Sequence, residues 1–256
     1  MVDVDEAGVH AVVKEITANG GKAKGIVADL REDANARRIV RETANAFGGL
    51  DFVWNHLGHP GPASVDGIEM ADFALAVDLD LRSQIVATEA ALPELRARSG
   101  GSLLYTVSTS GLVGSQFSPV YSAVKFGVVG FVRALAKRVA KDKIRVNAVC
   151  PGATDTPMLR VFVARPDRQS TQGMDKEQLV ARRAGQNPMG RQARPAEIAN
   201  AALFLLSDEA SFITGAHHRR GAAGRRRHDG VKPPLSDGYG VDILMFLSPG
   251  GGEASP

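Results

Sequence analysis

Tyr121 and Lys125 stand four residues apart in an apolar-periodic stretch that predicts a helix over 119–141. On a helix, positions i and i+4 lie one above the other on one face. That pairing has a chemical use. A phenol, with an ordinary pKa of about 10, is no base at neutral pH, but an ammonium a few Å away favours the phenolate. Such a tyrosine can take or give the proton of a substrate hydroxyl or carbonyl, provided something beside it moves the hydride. Ser108 lies upstream and the Asn147–Thr156 stretch downstream. Tyr-x-x-x-Lys also recurs by accident, as an aromatic beside a solvated lysine, so the surrounding elements decide.

Met1–Asp3 reads as the end of a strand. Asp5 to Asn19 reads as a helix, with Val9, Val12, Val13 and Ile16 at helical spacing and Gly20-Gly21 as its stop. A short strand over Lys22–Asp29 follows, then a helix opened by Glu32/Asp33 and closed by Gly48-Gly49, then a buried strand over Leu50–Asn55. A Gly/Pro-rich loop, His56–Gly67, leads to a long helix over Met70–Arg98. Gly101–Val107 and Ile144–Val149 are continuous apolar strands, the second interrupted only by Asn147. Residues 157–190 are mixed and polar, a lid, and Pro195–Leu206 is an amphipathic helix.

Strands alternating with helices, with the strands nearly all apolar, predict an α/β fold: a doubly wound parallel sheet covered on both faces. Such sheets bind ligands at the carboxyl ends of their strands. Asp3, Asp29, Asn55, Ser108 and Pro151-Gly152 all fall there.

The 256 residues are 44% hydrophobic and 23% charged, which suits one larger globular domain. Aromatics are only 5%, as suits helices packed closely on a sheet. No apolar run approaches the roughly 20 residues of a membrane span. The acidic N-terminus has no signal-peptide pattern, and Cys150 is the only cysteine, so the reading is cytoplasmic. Six Lys/Arg against four acids in residues 216–256 carry most of the net charge of +3, leaving +1 for residues 1–215. By charge the body is no nucleic-acid surface. No metal ligands are assigned, and His56 and His59 read as wall residues.

Over residues 1–215 the chain resembles the short-chain dehydrogenase/reductases, one-domain nicotinamide enzymes with a Rossmann-like sheet. Asp29-Leu30 resembles the family's adenine contact, and Asn55-His56-Leu57-Gly58 stands where the family has Asn-Asn-Ala-Gly. Ser108 precedes Tyr121 at the family's spacing, with Lys125 following. Pro151-Gly152-Ala153-Thr154-Asp155-Thr156 resembles the family's Pro-Gly turn and nicotinamide-side Thr, and residues 188–215 resemble its last conserved stretch. The resemblance implies Tyr121 as general acid/base, Lys125 as the group that lowers its pKa and binds the nicotinamide ribose, and Ser108 as the positioner of the substrate oxygen. It implies Asp3 at the adenosine ribose, with Asp5 a competitor. An acid there favours NAD over NADP, whose 2′-phosphate would meet a like charge. It also implies a homodimer or homotetramer through the two long helices, where Val128, Val129, Val132 and Leu135 give the second helix more apolar surface than a sheet-facing stripe needs.

Three departures accompany the matches. The family opens with a strand and a Gly-rich turn that hold the pyrophosphate. Here Gly20-Gly21 end a helix, Gly250-Gly251-Gly252 sit in the tail, and Met1 falls inside the expected second strand. The expectation is a domain truncated at its N-terminus, lacking the central strand, with two strands facing a gap, and a start annotated too late. Asp80 stands where the family usually has an Asn that bonds a main-chain carbonyl and holds a water in a proton relay. A carboxylate has no donor for that carbonyl, and Asp78 leaves the alignment open by two residues. Residues 216–256 turn abruptly to AHHRRGAAGRRRHDG. Their Gly, Arg and Pro content reads as a disordered tail. Permitted codons for Ala216–Lys232, shifted by one base, read through Val-Asp-Gly-Gly to a stop, the ending the family has, so the tail also reads as a frameshift product.

The functional expectation is a hydride transfer between NAD and a small secondary alcohol or ketone. Against it stand a non-catalytic remnant unable to hold the cofactor and, less favoured, nucleic-acid binding through the Arg-rich tail.

Overall fold

The computed structural model describes residues 1–165 and 171–216. Strand β4 (Gly101–Thr106) is the middle of a three-stranded parallel sheet, flanked by β3 (Phe52–Asn55) and β5 (Ile144–Val149). Trp54 pairs with Leu104, and Leu104 with Asn147. Alternate residues of β4 face opposite sides, and both sides are covered. Leu103 and Tyr105 join the core under α4 (Ser83–Ala97) and α6 (Pro119–Val139), while Leu104 packs with Ala202 and Leu205 of α9 (Pro195–Leu206).

A second, separate sheet pairs β1 (Val2–Asp3) with β2 (Ile26–Val27), again parallel. Two helices accompany these strands, α1 (Glu6–Ala18) and α2 (Asp33–Phe47), the latter closed by Gly48 in the left-handed conformation, φ 77°. Ile39 of α2 packs against the cores of both sheets. Among the described residues no strand joins β1 to β3, so the sheet is in two pieces, with the gap expected between these two strands. Val27 and Phe52 are 43% and 54% exposed on the separate halves.

The long helix expected over Met70–Arg98 is interrupted. α3 (Met70–Val77) runs into a five-residue π turn, Asp78–Arg82, before α4 continues. A π turn inserts one residue into the helical repeat and so changes which side chain faces inward. Here that residue is Asp80, fully buried, while Arg82 reaches outward to Asp33 and Asp78.

The expected strand over Lys22–Asp29 is only two residues long, because its one partner strand is equally short. Among its described residues, the polar stretch 157–190 holds two helices, α7 (Pro157–Val163) and α8 (Lys176–Gly185), packed through Leu159, Val163, Leu179 and Val180. Their excursion is pinned at its base, where Asp155 N–H donates to Ala193 O at 2.8 Å and Ala193 N–H to Ala153 O at 3.0 Å. A four-residue helix, α5 (Ser110–Val113), follows β4.

Two readings of α6 need correction. Val128, Val129 and Val132 are 5% exposed or less and belong to the protomer's own core, so they leave no surplus for a partner. Between Pro119 and Gly130 its exposed residues are Pro119, Ala123, Phe126, Gly127 and Gly130. The segment Pro119–Asp142 is also long and apolar enough to cross a membrane by length and composition, but just over half of it is buried within the fold. The expected disorder of the tail beyond Ala216 lies outside the described residues.

Candidate active site

The carboxyl ends of β3, β4 and β5 converge on the first two turns of α6. Pro119 at its first turn needs no N–H partner, and Ser122 locks the entry by donating to Ser118 O at 2.8 Å and accepting from Ser115 N–H at 2.9 Å. Tyr121 and Lys125 thus point to one place, with the Lys125 ammonium 5.5 Å from the centre of the Tyr121 ring. Both are buried, Tyr121 at 8% exposure and Lys125 at 1%.

Lys125 is fully engaged on one side. Its Nζ donates to Asp80 Oδ1 at 2.8 Å and to Thr106 O at 3.2 Å. Asp80 also accepts from the His59 backbone N–H at 3.2 Å. Burial raises the Asp80 carboxyl above its ordinary range, against the pull of Lys125 and the His59 amide. Gly58 faces this pair: a Cβ there would sit 3.3 Å from Asp80 Oδ1 and 3.7 Å from Lys125 Nζ. Of the two acids it is Asp80 that lies beside Lys125, while Asp78 meets Arg82 at the surface.

Burial pushes the Tyr121 phenol above its ordinary range, and the Asp80 carboxylate adds to that; the hydrogen bond from Ser108 and the Arg165 charge oppose it. Ser108 Oγ also accepts from Ser110 N–H at 3.1 Å, which fixes its position at the start of α5. Gly111 of that short helix has no room for a Cβ, which would lie 2.9 Å from Lys125 O, so α5 packs directly against α6. Thr106 ties the floor together, its hydroxyl bonded to Trp54 Nε1 at 2.9 Å and His56 Nδ1 at 2.7 Å. The Cys150 thiol, buried at the end of β5, is pushed up to about 12 by that burial and stays protonated.

Ser108, Tyr121, Lys125 and Asp80 therefore form one cluster, with Gly58 on its wall. Asn55 ends β3, 3% exposed, and its Nδ2 donor has no partner among the described residues. Pro151 and Gly152 follow β5, where Pro151 O accepts from Thr109 N–H at 3.0 Å. Thr154 and Thr156 line the neck of the α7–α8 excursion, their hydroxyls on Gly152 O and Thr154 O, both at 3.3 Å. Asp3 and Asp29 belong instead to the separate β1–β2 sheet. Asp3 is exposed and accepts from Asp5 N–H at 3.1 Å; Asp29 is held by Arg31 Nε at 2.9 Å, and Leu30 beside it is core.

Two residues of the excursion cover the cluster. Phe162 meets the Tyr121 ring edge-on, centroids 5.0 Å apart. Arg165, 5% exposed, donates to Pro60 O at 2.8 Å, Gly61 O at 3.0 Å and Phe117 O at 2.9 Å, contacts Ser118 Oγ, and stacks 4.9 Å over Phe162. It staples α7 to both walls of the site. Replacing Arg165 by Met strands these buried carbonyls, and one lost partner of this kind costs about 1–3 kcal/mol. Limited proteolysis should then cut within residues 157–192 roughly tenfold faster, the effect of about 1.4 kcal/mol on local closure. Unchanged cleavage would show that the staple does not hold the excursion.

The donor set fits the ribose end of a nicotinamide nucleotide. An ammonium has three donors and Lys125 spends two within the protein, while Asn55 Nδ2 is a buried donor awaiting an acceptor. No described helix opens on a glycine-rich turn, the arrangement a pyrophosphate needs, since Gly20 and Gly21 close α1.

A family model described as enoyl-(acyl carrier protein) reductase matches residues 1–219. The chain is 31% identical over 217 residues to cyclohexanol dehydrogenase of Acinetobacter sp. (strain SE19), covering 84% of this chain and 80% of that one. It is 32% identical over 213 residues to the (2S)-[(R)-hydroxy(phenyl)methyl]succinyl-CoA dehydrogenase subunit BbsD of Thauera aromatica, covering 83% and 80%. The crystal structure of levodione reductase matches the fold with a TM-score of 0.76 at 30% identity, over 84% of this chain and 82% of that one. The fold and the site define an α/β oxidoreductase of the Rossmann-like kind. The chain belongs to the short-chain dehydrogenase/reductase family.

Proposed function

We propose that this chain transfers a hydride between NAD and a small secondary alcohol or ketone, with Tyr121 as the acid/base group. The observation that carries the reading is the cluster of Ser108, Tyr121 and Lys125 at the carboxyl ends of β3–β5. A bound nicotinamide would supply the hydride. Asn55, Tyr121, Lys125 and the Pro151–Thr156 turn would hold its ribose end, and Asp3 and the Asp29-Leu30 pair would meet its adenosine end.

Ser108 bonds the Tyr121 hydroxyl, so both groups can bond one substrate oxygen. Tyr121 exchanges the proton of that oxygen, and burial keeps bulk water from competing. Phe162 makes the wall beside Tyr121 apolar, and Arg165 spends its guanidinium on backbone carbonyls, which favours an uncharged substrate with an apolar substituent. Cyclohexanol and levodione, the compounds named for two similar proteins, belong to that chemical range. A homodimer or homotetramer and a cytoplasmic location belong to the same reading.

The test is titration with NAD and NADP by fluorescence quenching of Trp54, followed by alcohol oxidation with a panel of cyclic and aliphatic secondary alcohols. NAD binding tighter than NADP, with turnover of uncharged alcohols, is the expected result. The split sheet and the lack of a described pyrophosphate loop favour a second reading, a non-catalytic relative that holds the cofactor poorly. No quenching up to millimolar NAD would select it.

A further inference from the structure

We propose that Asp80 is a positioning residue that cancels the charge of Lys125, so that Tyr121 stays a phenol into alkaline pH and is built as a proton donor to a carbonyl. The inference rests on the reading of Tyr121 as the acid/base group and deepens it.

The geometry carries it. An ammonium lowers a neighbouring phenol's pKa only through the net field it presents. The nearest charge to Lys125 Nζ is the Asp80 carboxylate at 2.8 Å, and both sit out of solvent, where no water or salt screens one without the other. From the phenol, 5.5 Å from the ammonium at its ring centre, the pair is a dipole with little net charge. The π turn holds Asp80 in place by its backbone, the His59 N–H bonds the carboxylate, and Gly58 leaves the room the contact needs. The pairing is thus a feature of the fold and not a chance rotamer.

The other groups facing this site do not restore the lost positive field. Among the described residues Arg165 is the remaining cation near Tyr121, and its guanidinium donates to the carbonyls of Pro60, Gly61 and Phe117. His56 faces Lys125, and loss of water around its ring together with that ammonium lowers its pKa and so disfavours a positive charge there. His59 meets Asp80 through its backbone N–H, while its ring Nδ1 accepts from Gly61 N–H at 3.1 Å. Cys150 is a protonated thiol. Asp78 and Arg82, on the same turn as Asp80, pair at the surface.

In carbonyl reduction, for which a bound reduced nicotinamide would supply the hydride to the carbonyl carbon, Tyr121 gives its proton to the carbonyl oxygen, its O–H bond breaks, and the phenolate left behind takes a proton from water. That direction needs the phenol, which the Asp80–Lys125 pair preserves. Alcohol oxidation draws on the phenolate and should therefore speed up as pH rises into the alkaline range.

The experiment reads Tyr121 directly, without cofactor or substrate, by NMR of protein labelled with 13C at tyrosine Cζ; Tyr121→Phe assigns the resonance. In the wild-type protein Tyr121 should keep its phenol shift through pH 9.5, where an ordinary tyrosine of pKa about 10 has begun to titrate. A wild-type midpoint below about 9 overturns the proposal, and this measurement needs no variant to fold. In Asp80→Asn the midpoint should fall by at least about one pH unit, a tenfold gain in phenolate at a given pH. Coincident Tyr121 signals in wild type and Asp80→Asn, across the range where both stay folded, overturn it too. No hydride moves in either measurement, so the outcome is separate from that of the nicotinamide titration.

Discussion

Replacing Tyr121 by Phe is expected to lower turnover of a secondary alcohol by about 10²–10⁴, the usual worth of a positioned acid/base group. The change removes one oxygen and leaves the ring. Phe keeps the edge-on contact with Phe162 and most of the buried area, so the fold should persist. What goes is the hydroxyl that Ser108 bonds and that exchanges the substrate proton. NAD affinity should fall only modestly, because Tyr121→Phe gives up one ribose contact while Lys125, Asn55 and the Pro151–Thr156 turn are untouched. The loss should therefore appear in kcat at saturating cofactor, with the melting temperature close to wild type. A loss below tenfold would mean that Tyr121 is not the group that moves the proton. A Ser108→Ala variant should lose less, since Tyr121 keeps its proton and only the alignment of the substrate oxygen suffers.

The pairing of Tyr121 with Lys125 was legible because helical spacing puts i and i+4 on one face, and the helix was strongly patterned. The convergence of Asn55, Ser108 and Pro151-Gly152 followed from strand ends in a parallel sheet. The choice between Asp78 and Asp80 was not legible. A repeat of 3.6 residues carries no mark of a π turn, and that turn alone sends Asp80 to Lys125 and Asp78 to the surface. Arg165 was visible only as part of a mixed lid, because its partners are backbone carbonyls, which have no signature in sequence. Val128, Val129 and Val132 misled in the other direction. Their stripe is wide because α6 packs against the sheet and α4 within one core, a demand that composition does not reveal. The two helices of the lid escaped notice because only four residues, split between them, form their common core.

The Asp80–Lys125 pair also sets the largest expected change in stability. Two charges taken out of water contribute little net energy together, but removal of one strands the other. Asp80 is fully buried and the Lys125 side chain is 2% exposed, so neither has solvent to fall back on. Asp80→Ala leaves the Lys125 ammonium with the Thr106 carbonyl as its one partner in the cluster, and also strips the His59 N–H of its acceptor. The expected cost is about 3–5 kcal/mol, the usual penalty for an uncompensated buried charge. Asp80→Asn should cost less, since an amide oxygen still accepts from Lys125 in the same volume. A double variant, Asp80→Ala with Lys125→Met, should recover much of the loss of Asp80→Ala, because the stranded charge is gone and an unbranched apolar chain fills its path. Urea unfolding of wild type, both singles and the double closes the cycle. Additive costs for Asp80→Ala and Lys125→Met would mean the two side chains do not depend on each other. A double variant as stable as wild type would show that the pair adds nothing to the fold, which leaves its effect on Tyr121 as the reason for its place at the site.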